Sequence, residues 1–257
     1  MTADLTGREH PPVLSHDLTG KRVVVVGGKG GMGLGVARAA QAAGAAVTVA
    51  SRRSTSAEER PDLATFGQVC LDIRDEAAVR DAFETIGHLD HLVVTAAPDL
   101  GSWGAFMDED MRGVRSYVEG KFFGSWACAR YATPHLAPGG SITFVTGGIA
   151  ARPKLGFAAV TPTLAAVEAL SRSLALELAP IRVNSIRPGF VDSEMWDFLP
   201  EAERDGIRAK VRETFPARRL GTSADIGHAA LYLMTNSYVT GSIVEVAGGE
   251  LLVGEFF

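Results

Sequence analysis

Short apolar runs alternate with longer stretches in which apolar residues recur every three or four positions. The runs at 22–26, 46–50, 68–71, 91–95, 141–146, 181–186 and 242–246 are bounded by Gly, Pro, Asp or Ser. Such short, almost wholly apolar segments predict strands buried on both faces. Helical patterns cover 33–44, 75–86, 108–136, 163–178 and 224–235. Strand–helix alternation of this kind predicts an α/β fold, a parallel sheet with helices on both faces.

Two segments break the rhythm. Residues 98–107 form a Gly-, Ser- and aromatic-containing loop after the fourth strand, and 188–219 form a loop and polar helix after the sixth. Ligands bind beyond strand C-terminal ends in such sheets, so 188–219 reads as a substrate-covering insertion. Trp103, Phe106, Trp196 and Phe198 in these two loops point to a largely apolar small-molecule substrate; for the aromatics, packing onto the body is the competing reading. Residues 1–17, with two prolines and mixed charge, read as a flexible N-terminal arm, and 18–257 as one domain.

Composition narrows the classes. The 257-residue chain is 46% hydrophobic and 21% charged, with a formal net charge of −5. A nucleic-acid surface would usually be basic, and the charge gives no reason to expect an anionic membrane as partner. No apolar run has the length of a membrane span or marks a signal peptide. Cys70 and Cys128 lie among apolar residues and are expected to be reduced core thiols of a cytoplasmic protein. Six scattered histidines lack ligand spacing, and no metal is expected.

The first strand and turn read VVVVGGKGGMGLG. Gly27, Gly31 and Gly33 fall between a strand and a helix, where glycine permits a tight turn, backbone approach to a pyrophosphate and close helix–strand packing. The helix N-terminus would then face phosphate. The second strand ends in Ser51-Arg52-Arg53, where an NAD-selective site usually has an acid about 20 residues after the glycines. Guanidinium groups bind a 2′-phosphate in two-pronged fashion, and Lys29 adds positive charge nearby. NADP(H) is therefore favoured over NAD(H).

The chain resembles the short-chain dehydrogenase/reductase family from Leu18 to Val253. The resemblance is carried by VGGKGGMG, Asp72-Ile73, LVVTAAP (92–98), IRVNSIRPGFVDS (181–193), RRLGTSADIGHAALYLM and VTGSIVEVAGG. It implies a single Rossmann-type, doubly wound domain with a seven-stranded parallel sheet, and a homo-tetramer or homo-dimer. It places the cofactor against Gly27, Lys29, Gly31, Met32, Gly33, Ser51, Arg52, Arg53, Asp72, Ile73, Ala96, Ala97, Pro188, Gly189, Val191 and Ser193. It also implies hydride transfer assisted by Asn, Ser, Tyr and Lys.

None of those four residues is present. Counting back from LALEL puts Leu164 at the Lys position, Val160 at the Tyr, Gly147 at the Ser and Lys121 at the Asn. No Tyr or Lys occurs between Lys154 and Glu168, so no shift of alignment restores the pair. Pro162 suits a first helical turn and Thr161 can cap it. As substitutes, Lys121 could donate a proton from an apolar pocket and Thr146 could polarise a carbonyl. Tyr117 shares a helix face with Lys121, and Arg152 and Lys154 could meet an acidic group. Three functions compete. One is an atypical NADP(H)-dependent oxidoreductase acting on a carbonyl. Another is an inactive NADP(H)-binding sensor or partner subunit. The third is a non-redox enzyme using the same pocket.

Overall fold

The computed structural model describes residues 16–56, 58–98, 104–192 and 200–253. β1 (Arg22–Val26), β2 (Ala46–Ser51), β3 (Gly67–Cys70), β4 (Leu89–Val94), β5 (Leu136–Val145), β6 (Arg182–Pro188) and β7 (Ile243–Val246) form one sheet in the order β3-β2-β1-β4-β5-β6-β7. All six pairings are parallel. The order reverses between β1 and β4, which opens a crevice at their C-terminal ends.

β1 shows why these runs are apolar throughout. Val23 and Val25 enter the core beneath α1 (Gly31–Ala42) and α7 (Ser223–Thr235), and Val24 and Val26 enter the core on the opposite face. With side chains alternating across a sheet covered on both sides, neither set meets water. The second core lies under α2 (Glu76–Ile86), α4 (Gly124–Ala132) and α5 (Val160–Glu177). Local signals start the helices where the chain polarity changes. Asp75 accepts from the Ala78 N–H at the start of α2, and Thr222 and Asp225 form a reciprocal capping box on α7.

The pattern at 108–136 is not one helix. α3 (Met111–Val118) passes into a π-helical turn (Glu119–Phe123), then α4, then a 3-10 turn at Thr133–His135. Two glycines, Gly120 and Gly124, flank the π turn's centre, and Pro134 ends the helical run so that β5 starts at Leu136. α5 begins at Val160 with Ala159 as its cap; Thr161 lies inside the first turn, and its buried hydroxyl has no partner. Thr161 is therefore not the cap. Cys70 also departs from expectation. It ends β3 exposed, with its thiol on the Arg52 carbonyl, whereas Cys128 is buried. β3 is the edge strand of the sheet, four residues long, and its last side chain is exposed.

α6 (Glu201–Thr214) belongs to the 188–219 excursion. Its Val211 and the following Phe215 are buried against Phe190, Ile207, Leu220 and Val253. Packing thus accounts for Phe215, and Phe106 is exposed. Trp103, Trp196 and Phe198 lie outside the described residues. Among the described residues, no helix is long and apolar enough to cross a membrane.

Candidate active site

A groove of about 340 Å3 opens over the C-terminal ends of β1, β2 and β4. It is lined by Gly27, Lys29, Gly31, Met32, Gly33, Ser51, Arg52, Asp72, Ile73, Ala96 and Ala97, eleven positions singled out in the sequence. Gly27 holds φ +88°, in the left-handed region, and a Cβ there would lie 2.6 Å from Thr95 Oγ1. At Gly33 a Cβ would fall 2.1 Å from the Gly27 carbonyl oxygen. The turn therefore has no room for side chains between β1 and α1. α1 also lacks a side-chain cap and has no acid in its first turn. Its first N–H groups remain open toward the groove, as an anion-binding helix terminus requires.

The far wall is cationic. Lys29 Nζ donates to the Arg53 carbonyl (2.6 Å) and to Thr55 Oγ1 (3.2 Å), and Ser51 Oγ donates to the same carbonyl (2.9 Å). Arg53 thus contributes its backbone to fixing this loop; its side chain is exposed and does not line the groove, unlike Arg52. The expected pair of groove-lining guanidiniums becomes one, because successive residues after a strand point opposite ways. Arg74, which the sequence pattern did not suggest, lines the groove while pairing with Asp72 at 2.7 Å. That pairing and its hydrogen bonds hold the Asp72 carboxyl below the usual range.

Pro188, Gly189 and Val191 do not line the groove. Pro188 ends β6, Val191 is buried and bridges to Gly221, and Ser193 lies outside the described residues. Gly189 is packed where a Cβ would lie 2.6 Å from Glu250 Oε2, and the next N–H, of Phe190, donates to that oxygen at 2.7 Å. Buried Glu250 also receives Lys154 Nζ at 3.0 Å, and Arg152 donates to the Val253 carbonyl. Lys154 and Arg152 are thereby clasped to the C-terminal segment rather than presented to an acidic substrate.

Beside the groove, the positions of the usual proton-handling residues form an apolar cluster. Val160 and Leu164 are buried together with Tyr117, flanked by Ile149, Ala150 and Phe157. At Gly147 a Cβ would meet Leu164 Cδ1 at 3.2 Å, so the aliphatic side chain occupies the space next to the missing hydroxyl. Lys121 is 2% exposed, and its ammonium donates to the carbonyls of Val145 (2.7 Å) and Ala96 (3.1 Å). Burial lowers its pKa to about 8. The residue lies in the π turn, whose Gly120 lines the groove. π turns recur at functional sites.

Thr146 does not offer a free hydroxyl. Its Oγ1 lies 2.9 Å from Glu168 Oε1 and 3.1 Å from the Ile186 carbonyl. Glu168, buried on α5, accepts from Arg187 Nε (2.9 Å) and Nη2 (2.6 Å) in a two-pronged ion pair. Thr146 is thus part of a tie between β5, α5 and β6, and its expected carbonyl-polarising role loses its donor. Among the described residues there is no cluster of His, Cys, Asp and Glu able to hold a metal.

Comparison with known proteins agrees with this geometry. Residues 26–250 match the family model described as enoyl-(acyl carrier protein) reductase. A short-chain dehydrogenase/reductase, fsr5, of Gibberella fujikuroi is 32% identical over 255 residues, 91% of this chain and 96% of the relative. A small-chain dehydrogenase solved in complex with NADPH superposes with a TM-score of 0.79 at 33% identity, covering 90% of this chain and 99% of the other. A short-chain oxidoreductase of Pseudomonas aeruginosa PAO1, described as containing an atypical catalytic center, has a TM-score of 0.79 at 28% identity, covering 91% and 98%. This chain belongs to the short-chain dehydrogenase/reductase family.

Proposed function

We propose that the protein is an NADP(H)-dependent oxidoreductase that reduces a carbonyl, or a similarly activated group, of a largely apolar small molecule. The observation that carries this reading is the uncapped α1 terminus facing a groove walled by Arg52 and Lys29. The turn and helix terminus would hold the pyrophosphate, Ser51 and Arg52 the 2′-phosphate, and Asp72 and Ile73 the adenine. The bound cofactor supplies the hydride, which needs a positioned electrophile more than it needs any one acid. The apolar cluster around Val160 and Leu164 would exclude water from that electrophile.

Lys121 is fixed by two carbonyls, one of them that of groove-lining Ala96, and retains one ammonium N–H. We further expect self-association through α4 and α5, where Trp126 and Leu176 are exposed, as is Phe123 just before α4, and a cytoplasmic location. The second reading is a cofactor-binding protein without redox turnover; the apolar replacement of the standard pair favours it. Anaerobic stopped-flow mixing of protein, NADPH and apolar ketones or enones separates the two. Oxidation of NADPH at a rate above the protein-free control is expected; tight binding without oxidation of NADPH by any of them would reject the oxidoreductase.

A further inference from the structure

The family's missing pair has a counterpart on the neighbouring helix. Residues 117–121 read Tyr-Val-Glu-Gly-Lys, the same spacing that Val160 and Leu164 keep on α5. The two segments face each other, since Tyr117 falls in one buried cluster with Val160 and Leu164. We propose that Tyr117, with Lys121 one turn along, is the acid of this site and gives its phenol proton to the carbonyl oxygen of the substrate. This rests on the oxidoreductase reading above and names the residue that completes it.

Three observations converge on Tyr117. First, it is 3% exposed, and its hydroxyl has no hydrogen-bond partner among the described residues. The oxygen is not among the buried unpaired side-chain atoms of the described residues, so the phenol keeps an accessible polar tip on a buried ring; a substrate oxygen would supply its partner. Second, the segment reaches the cofactor groove. Gly120 lines it, packed where a Cβ would lie 3.1 Å from Pro98 Cγ, and Lys121 binds the carbonyl of groove-lining Ala96. Third, the chain departs from α-helical geometry at Glu119–Phe123, which starts two residues after Tyr117. Burial raises the pKa of the phenol, so it is fully protonated before reaction and gives up its proton at a higher cost than an exposed phenol.

The step balances. The carbonyl carbon gains the hydride that the dihydronicotinamide loses, and the C=O π pair moves to oxygen. That oxygen takes the Tyr117 proton, and the phenolate recovers one from solvent. The product is an alcohol and the coenzyme leaves oxidised.

The test uses full-length protein labelled with 13Cζ-tyrosine, which contains four tyrosines. The triple variant Y131F/Y232F/Y238F leaves Tyr117 as the sole signal. With NADP+ bound, addition of 2-decanone is expected to shift the Tyr117 resonance, and Tyr117→Phe is expected to lower kcat by about 10²–10⁴-fold. NADPH affinity should stay within about twofold in that variant, because the hydroxyl lies outside the cofactor groove. A resonance that does not respond to the ketone, or a Tyr117→Phe enzyme as fast as wild type, overturns the assignment while leaving the oxidoreductase intact. Failure of wild-type protein to bind NADPH would take down both.

Discussion

The two ends of the site were built under different constraints. The cofactor end is a matter of backbone: glycines with no room for a Cβ, an uncapped helix terminus and a loop held by Lys29 and Ser51. The chemical end is a matter of side chains, and there the hydroxyl, phenol and amine expected of the family are replaced by Gly147, Val160 and Leu164. The sheet and helix positions are the same in both cases. The turn depends on shape that few residues can satisfy, whereas the chemical end depends on side-chain groups, which in the proposed reading stand on a neighbouring helix.

The sharpest break in this contrast is expected from Gly33→Val. Its Cβ would collide with the Gly27 carbonyl, and NADPH affinity measured by fluorescence should fall by at least about 100-fold, or about 3 kcal/mol. Unchanged affinity would show that the turn does not hold the coenzyme. Glu168 stands at the other end. It anchors Arg187 and Thr146 behind the chemical end. Glu168→Gln should lower unfolding free energy by about 2–3 kcal/mol in a urea titration, since it removes the closer of the two carboxylates paired with the Arg187 guanidinium. A loss under about 0.5 kcal/mol would make the tie unimportant.

The smallest effect is expected from Lys121, and it depends on pH. Its pKa is lowered by burial to about 8 from an unfolded value of 10.5. Between those values the unfolded chain binds more protons than the folded one, so stability rises with pH; it is lost as pH falls toward 8, below which both states are charged. Across that window wild type should gain about 1 kcal/mol per pH unit relative to Lys121→Met. Parallel melting curves for the two proteins at each pH would contradict a buried, titrating ammonium.

The sheet, its parallel pairing and most of the groove were legible because they follow from local pattern. Four valines before a glycine turn can be little else than a two-faced central strand. The interruption after Val118 was not legible: apolar periodicity continues through it, and only the paired glycines hinted at a change of helical winding. Arg53 was assigned as a side chain but acts through its carbonyl, which no sequence pattern encodes. Thr146 was misassigned because strand-end hydroxyls look alike in sequence, and its partner Glu168 lies 22 residues on. The Tyr117 contact with Val160 and Leu164 spans more than forty residues and required the packing of α3 on α5. Residue type told which groups were absent; the proposal of Tyr117 as their replacement needed tertiary packing.

Calorimetric titration of the wild-type protein with NADPH and with NADH tests the central claim most directly. NADPH should bind at least about tenfold tighter, a difference of about 1.4 kcal/mol, and Arg52→Ala should erase that preference. Equal or tighter binding of NADH, or uptake of neither nucleotide, would contradict a preserved NADP(H) frame.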